Sequence, residues 1–357
     1  MKMKSLLCGL LVGLLPLATF AQTDSLKQNQ TEEFEDYSSY GDDSSVKRYC
    51  TQKVQFLSPT KLISLGYESQ LAHKLETPAH SLHGQNYAAD NSDVSMSHGL
   101  RLGFNTPLIS RSKLIVNFGM SYYESRFSFA EPDQITHPLH KSLKEYGLRT
   151  TGAMLTVFKP LNEKNFIIAA VNGDLNGTYN FSNIPSLGKM TYSVLGVYGW
   201  KRSDKKMWGL GVARTYRVGE VNYVPVLLYN QTFNDKWGVE LLLPARGAVR
   251  RNFSAKSLLM FGYELEGNSY LVSPSSGATG SFTHFDDMRL RRSELKVRFT
   301  YEKSLHNFIW LSVQAGLRTN IAFNVSEKET SPRREYLFTN SLTNPLYFAI
   351  SLNLVSP

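Results

Sequence analysis

From about Thr60 onwards, apolar and polar residues alternate in segments of about 10 residues. In one segment, Leu114, Val116 and Phe118 are separated by polar or small residues such as Asn117. A period of two is the pattern of a β-strand with one apolar face. Soluble sheets have strands of about five to six residues, whereas a tilted membrane strand needs about 9–11. The pattern predicts an all-β fold, an antiparallel transmembrane β-barrel.

The connections between these segments alternate in length, as expected for a barrel with both termini in the periplasm. Short inner turns are predicted at 105–113, 161–165, 202–206, 233–236, 254–257 and 302–307. Longer outer loops are predicted at 72–92, 128–144, 176–188, 271–287 and 322–343, with short outer connections at 218–222 and 244–247. The alternation holds if residues 248–253 form a short strand, which gives 14 strands. Twelve strands is the alternative.

The chain begins with features of an exported protein. Residues 1–21 contain Lys2 and Lys4, then an apolar run, and then small residues suited to a cleavage site. This order predicts a cleaved signal peptide. Residues 22–49 are polar and acid-rich, which predicts a disordered periplasmic tail. No later apolar segment is long enough for a transmembrane helix. Residues 50–357 are therefore assigned to the barrel and the protein to the bacterial outer membrane.

The charge and cysteine content limit the partners and the chemistry. The formal charge is +9, and removal of Lys2 and Lys4 leaves +9 − 2 = +7 on the exported chain. An exported basic protein meets outer-membrane lipid and lipopolysaccharide phosphate rather than nucleic acid. After the signal peptide, Cys50 is the sole cysteine, so no disulfide framework is expected. No cofactor is expected, and the oligomeric state stays open.

Charged residues on the late strands fall opposite the apolar row. Arginine or lysine facing lipid costs about 2–4 kcal/mol at the membrane midplane, so these side chains are predicted to line the lumen. They form either a structural salt-bridge network or a constriction that selects solutes by charge. The predicted lumen-lining residues are Arg101, Asn117, Glu240, Glu264, Glu266, Arg292, Glu294, Lys296, Arg298 and Arg318.

All four tryptophans lie within a few residues of a predicted inner turn. Indole prefers the membrane interface because it combines an apolar body with one hydrogen-bond donor. Trp200, Trp208, Trp237 and Trp310 are therefore predicted to form an aromatic girdle at the periplasmic rim. The alternative is that they belong to the core of a soluble β-sandwich.

Two kinds of chemistry are considered for the predicted outer loops. His80 and His83, like His137 and His140, are three residues apart and could converge on a metal such as zinc. Neither organised carboxylates nor cysteines accompany them, so solvated histidines are favoured. His140 could also activate Ser142 for acyl transfer, as in a lipid hydrolase or acyltransferase of the outer leaflet. No orienting acid is identifiable, and no catalytic residue is assigned.

Several short patterns in the second half are typical of one group of membrane proteins. They are Gly209-x-Gly211, Val224-Pro225-x-Leu227, Trp237 followed by Leu241-Leu242-Leu243-Pro244, and Phe261-Gly262-Tyr263-Glu264. On these patterns, residues 50–357 resemble the uncharacterised outer-membrane β-barrel proteins of Bacteroidota. The resemblance implies an outer-membrane barrel, and it carries no substrate and no active-site residue.

The last segment, 346–357, resembles the targeting strand that the barrel assembly machinery reads, although the chain ends in Val355-Ser356-Pro357 rather than an aromatic residue. The leading functional prediction is a non-enzymatic channel or transporter for small polar solutes. A structural or surface-binding barrel and the lipid enzyme are the alternatives.

Overall fold

The computed structural model describes residues 48–82, 84–182, 184–216, 219–275, 288–327 and 336–356. The predicted signal peptide, residues 22–47 of the predicted tail and His83 lie outside the described residues. Among the described residues, no helix is long and apolar enough to cross a membrane.

Long strands form most of the described chain, because the alternating segments pair edge to edge with their neighbours in sequence. The prediction of 14 strands in a closed antiparallel barrel is confirmed. The strands are β1 Lys61–Gln70, β2 Asp90–Arg111, β3 Leu114–Phe129, β4 Leu148–Pro160, β5 Asn165–Gly177, β6 Thr191–Ser203, β7 Lys206–Thr215, β8 Asn222–Thr232, β9 Trp237–Leu243, β10 Arg246–Ser254, β11 Ser257–Leu271, β12 Arg289–His306, β13 Ile309–Ser326 and β14 Leu346–Val355.

The barrel closes where β1 pairs with β14, in a register that sets Leu65 opposite Leu352 and Glu68 opposite Ala349. On its other edge β1 pairs with β2. The strand that the alternation required at 248–253 is present as β10. Apolar side chains on the outer face are well exposed, as membrane-facing residues of a barrel are.

The two ends of the barrel differ. At one end, here called the turn end, the strands join through connections of two to four residues, and both β1 and β14 have their terminal ends there. At the opposite end, the loop end, the connections include the predicted long loops and two short ones, at 216–221 and 244–245. The predicted alternation of short and long connections therefore matches the fold.

A cap covers much of the loop end. It is built around the helix α1, Pro138–Tyr146, and includes the short strands His73–Thr77, His80–Leu82, Gln85–Tyr87, Phe338–Thr339 and Ser341–Leu342. Pro138 at the first helical turn and a His137 side chain that accepts a hydrogen bond from the Leu139 amide start the helix. Leu139 and Leu143 are buried in an apolar cluster with side chains from the tall ends of β2, β3, β12 and β13. A 3-10 turn, Leu187–Lys189, lies in the β5–β6 loop.

A strap, residues 48–60, crosses the turn end before the chain enters β1. The Cys50 amide donates to the Asn162 carbonyl (3.0 Å), and the Gln55 amide donates to the Asp204 carbonyl (2.8 Å). Its buried Cys50 and Val54 pack with inward-facing apolar side chains of the wall, among them Phe166. The strap is not a strand of the sheet, so it could move without breaking the pairing of the wall.

The wall has uneven height. β2 has 22 residues, and β12 and β13 have 18 each, whereas β9 has 7 and β10 has 9. At the loop end the tips of β5 and β11 also meet inside the barrel, where the Thr178 amide donates to the Leu271 carbonyl (2.8 Å). The loop end is therefore tall and capped on one side and low on the side of β7–β10.

Candidate functional site: the barrel lumen

The lumen between the cap and the strap contains a cavity of about 640 Å³. Its lining includes inward-facing residues of β1–β9 and of β11–β13, and it reaches Pro244 and Arg246 at the low side of the wall. Ligand-binding cavities in proteins commonly measure about 300–1,000 Å³. The lumen can therefore hold a small molecule without rearrangement of the wall.

An ion pair crosses the lumen. Two guanidinium nitrogens of Arg101, on β2, donate to the two carboxylate oxygens of Glu266, on β11, at 2.9 and 3.0 Å. These strands are not neighbours, since β12, β13, β14 and β1 separate them around the wall. The bidentate geometry fixes both the direction and the distance between the two strands. The pair divides the interior, with the charged part of the wall on one side and the rest of the cavity on the other.

Glu68 stands at the centre of the charged network, although it was not among the predicted lumen-lining residues. Its carboxylate accepts from Arg101 (2.8 Å), from Lys296 (3.2 Å) and from Arg318. A buried carboxylate is tolerated only when cations and donors surround it. Glu68 lies on the polar face of its segment, so the alternation of apolar and polar residues could have identified it as a lumen-facing residue.

Four other predicted residues complete this network. Glu294 accepts from Arg292 (2.9 Å) and forms an ion pair with Arg318 (3.3 Å), and Lys296 also contacts Glu266 (2.7 Å). Lys296 and Arg318 are almost completely buried. Together with Glu68 and Arg101, the network brings three carboxylates against four cations, so it carries one excess positive charge.

The remaining predicted residues lie elsewhere on the inner face. Arg298 and Glu264 form a separate pair at 2.6 Å. Glu240 forms an ion pair with Arg250 (3.1 Å) toward the turn end, where it holds the strap rather than lining the cavity. Asn117 shares a face with Gly119 and lies below the cavity, toward the turn end.

Polar side chains of the wall hold the strap in place. The Lys201 ammonium donates to the Thr51 hydroxyl (2.6 Å) and to the Thr51 and Lys53 carbonyls (3.2 and 2.8 Å). The Ser58 amide and hydroxyl both donate to the Glu240 carboxylate, at 2.9 and 2.7 Å. Ser58 and Glu240 are 182 residues apart in the chain, which explains why sequence reasoning missed the strap.

The four tryptophans do not share one environment. Trp200 and Trp208 lie on the outer face near the turn end with their rings stacked at 4.4 Å, and Trp237 is 43% exposed beside Arg251. Trp310 departs from the predicted girdle. It is 8% exposed and packs inside the barrel with Leu258 and Val355. The outer face at β13 carries Ile309 instead.

Three of the predicted histidines meet in the cap. The ring of His137 lies 5.3 Å from those of His80 and His140, and the His80 ring stacks on Phe338 at 4.1 Å. Burial, and then the neighbouring imidazoles, lower the pKa of His137 to about 3. These rings are packed in the cap, not solvated as expected. Within the described ranges, no group of three or more His, Cys, Asp or Glu side chains is arranged to hold a metal.

His140 and Ser142 are not a catalytic pair. The His140 Nε2 atom lies 2.8 Å from the Thr77 hydroxyl, and its Nδ1 atom lies 2.9 Å from the Ser92 hydroxyl. The Ser142 hydroxyl instead donates to the Ser273 carbonyl at 2.7 Å. Both residues are fully buried in the cap, so a lipid could not reach the serine. The geometry gives them a packing role.

The glycines that carry the sequence resemblance have a packing role too. A Cβ atom at Gly211 would lie 2.0 Å from the Gly196 carbonyl oxygen and 2.8 Å from the Val197 Cα atom. No side chain fits there without moving the backbone of the neighbouring strand. Gly209 and Gly211 are therefore close-packed strand positions and not part of a phosphate loop.

Comparison with protein families gives a match over residues 136–355 to a domain of unknown function, DUF6268. The chain is a member of the DUF6268 family. The matched region runs from just before α1 to the end of β14, so it includes part of the cap and most of the barrel wall. Comparison with curated proteins finds no match.

The DUF6268 barrel is also similar to solved structures of low sequence identity. A FadL homologue from Pseudomonas aeruginosa has 8% identity and a TM-score of 0.38, over 83% of this chain and 90% of that chain. The toluene transporter TodX from Pseudomonas putida has 10% identity and a TM-score of 0.30, over 86% and 95%. LpxR from Salmonella typhimurium has 10% identity and a TM-score of 0.32, over 82% and 100%.

Proposed function

We propose that this DUF6268 protein is a non-enzymatic outer-membrane channel for small polar solutes, closed at rest. The observation that carries the proposal is a cavity of about 640 Å³ in the lumen, with the cap at the loop end and the strap at the turn end. The cap is continuous with the wall, because His73–Thr77 pairs with β2, whereas the strap is not part of the sheet and is held by hydrogen bonds and apolar packing. Displacement of the strap, with a shift of inward-facing side chains that it packs on, such as Phe166, would connect the cavity to the turn end and leave the barrel intact.

The charged network supports selection of solutes by charge. Arg101 and Glu266 remain 26% and 25% exposed to the lumen, so a passing solute meets both of them. Inward-facing charges set the selectivity of barrel pores. The lining presents charges of both signs, so a solute is selected by how well its own charges pair with them.

The sequence supports the location and the orientation. The signal peptide predicted for residues 1–21, the exposed apolar side chains on the outer strand face and the resemblance to Bacteroidota proteins favour the outer membrane. Both ends of the barrel segment lie at the turn end, which we assign to the periplasm because short turns face that side in outer-membrane barrels. The cap would then face outward, in contact with lipopolysaccharide.

Conductance in planar bilayers tests the proposal. We expect the mature protein to show little ion current and a variant without residues 48–58 to show a much larger one. A variant without residues 25–35, an equal deletion from the tail, is the matched control and should behave as the intact protein does. Heat-modifiable gel migration verifies that each variant has folded.

If neither the intact protein nor the strap deletion carries current, the channel proposal fails. A structural or surface-binding barrel would then be the better assignment. Equal current from the intact protein and the strap deletion would show that the strap is not the closure.

A further inference from the structure

One level of the lumen wall on β5–β8 is apolar, which is unusual because barrel interiors are generally polar. Ala170, Leu195, Ala213 and Val224 occupy consecutive strands, β5 to β8. Each is paired directly with the next, so they form a continuous row at one level of the wall. All four line the cavity. Apolar surface facing a water-filled cavity is unfavourable unless an apolar group covers it.

The opposite side of the same cavity is charged. It carries the network of Glu68, Arg101 and Glu266, which with Lys296, Arg318, Glu294 and Arg292 has one excess positive charge. The cavity is therefore amphipathic, with an apolar row on one side and ion-paired charged side chains on the other. A ligand that satisfies both surfaces has an apolar body and a polar or charged group.

Arg246 lies where the two surfaces meet. It is paired in register with Leu242, another apolar residue of the cavity, and with Glu264 on the charged side. Its side chain is exposed, and no ion pair to its guanidinium occurs among the described residues. A guanidinium binds a carboxylate through two parallel hydrogen bonds.

From this arrangement we infer that the cavity binds a small amphipathic carboxylate, with its carboxylate at Arg246 and its apolar body along the row that contains Leu195. The inference rests on the proposed function in that it names the class of solute for the same lumen. A cationic amphiphile of the same shape is repelled by the Arg246 guanidinium, and a neutral one leaves Arg246 without an anion.

Calorimetry on the mature protein in lipid nanodiscs tests this inference, with empty nanodiscs subtracted. The probes are hexanoate, 1-hexanol and hexylammonium, which share one apolar chain and differ in the charge of the head. We expect saturable binding of hexanoate and none of hexylammonium. Arg246→Gln should weaken hexanoate binding by about 10- to 100-fold, since hydrogen bonds to charged groups are the stronger ones.

Two further variants control the experiment. Leu195→Asn, which makes the apolar row polar, should also weaken hexanoate binding. Arg251→Gln removes an arginine from the outer face of the same strand as Arg246 and should leave binding unchanged. Similar binding of the three probes, or hexanoate binding unaffected by Arg246→Gln, would overturn the inference.

The binding experiment needs no current and no displacement of the strap. Hexanoate binding without conductance in the strap deletion would retain the inference and remove the channel. Conductance without hexanoate binding would retain the channel and remove the inference.

Discussion

At the loop end the lumen is closed by a cap that buries apolar side chains, whereas at the turn end it is closed by a strap held by hydrogen bonds. The cap places Leu139 and Leu143 in an apolar cluster built from several strands and loops. The strap buries Cys50 and Val54 and otherwise depends on Lys201 and other polar side chains of the wall.

The two closures differ in the number of apolar side chains that they bury. Each fully buried leucine of the cap contributes about 1.5–3 kcal/mol, and the cap cluster contains many such side chains, whereas the strap buries few and adds hydrogen bonds of about 0.5–1.5 kcal/mol, or about 1.5–3 kcal/mol where the donor is charged. The cap should therefore behave as part of the folded core, and the strap should be the closure that opens. Four predictions test this comparison, from the largest expected effect to the smallest.

Leu143→Ala should destabilise the cap by about 2–5 kcal/mol, since it leaves a cavity at a fully buried position. The expected result is faster limited proteolysis of the loop that contains α1, in a barrel that keeps its heat-modifiable migration. Leu187→Ala, at a position that is 73% exposed, is the control and should change little. Equal cleavage of both variants would show that the cap is not a packed unit.

Lys201→Met should release the strap, because it removes three hydrogen bonds to Thr51 and Lys53 from a charged donor. The thiol of Cys50 reports the release, since it is buried in the closed strap and its pKa is raised by that burial. Hydrogen bonds to charged groups contribute about 1.5–3 kcal/mol, so labelling should accelerate by about 10- to 150-fold.

Lys164→Met changes an exposed lysine on the nearby β4–β5 turn and serves as the control for Lys201→Met. Its labelling rate should match that of the unchanged protein. If Lys201→Met also leaves Cys50 protected, the hydrogen bonds of Lys201 do not hold the strap.

Acidification should loosen the cap but not the strap. The pKa of His137 falls from an ordinary value of 6.5 to about 3 in the folded cap, where His80, His140 and Asp90 surround it. The opened cap therefore binds a proton that the packed cap excludes, and stability falls as the pH drops from about 6.5 toward 3. The loss is at most about 1.4 kcal/mol per pH unit.

Proteolysis of the cap at pH 7.5 and at pH 5.0 measures this effect. His137→Asn keeps a side chain that can cap α1 and removes the titrating group, so its cleavage should depend much less on pH. A parallel change in Cys50 labelling would mean that the two ends are coupled.

Ser58→Ala should have the smallest effect, because the Ser58 amide still donates to Glu240 after the hydroxyl is lost. A loss of about 0.5–1.5 kcal/mol corresponds to about 2- to 12-fold faster labelling of Cys50. Ser254→Ala, on the β10–β11 turn, is the matched control and should show no acceleration. Slower labelling of Ser58→Ala would contradict the assigned role of Ser58.

The wall of the barrel could be predicted from the sequence because strand alternation is a local property. The same alternation places Trp310 on the polar, inward face of its strand, opposite Ile309 and Leu311. The prediction instead assigned Trp310 to the aromatic girdle because it lies close to a turn in sequence. In the structure the alternation decides, and Trp310 is buried. For Trp310, the strand face therefore predicts the environment of the side chain better than the distance from a turn does.

The closures and the partners of the charges could not be predicted in this way. Glu68 contacts Lys296 and Arg318, which are 228 and 250 residues away in sequence, and these contacts exist only once the barrel has closed. The helix α1 left a local signal in Pro138 and Gly147, at its two ends, within a stretch assigned to a loop. What it packs against depends on the tall strands around it.

The uneven height of the wall sets the depth at which the cavity can be reached. Seven residues of β9, at about 3.4 Å each and tilted by about 40°, rise only about 18 Å, whereas the apolar band of such barrels is about 25 Å tall. With the turn end at the periplasmic edge of that band, as proposed, Arg246 and the low edge of the cavity lie within the outer part of the band, below the lipid headgroups. We expect a spin label at Ala245 to be reached by lipid-dissolved relaxation agents, and this low edge would give a solute a sideways route from the membrane.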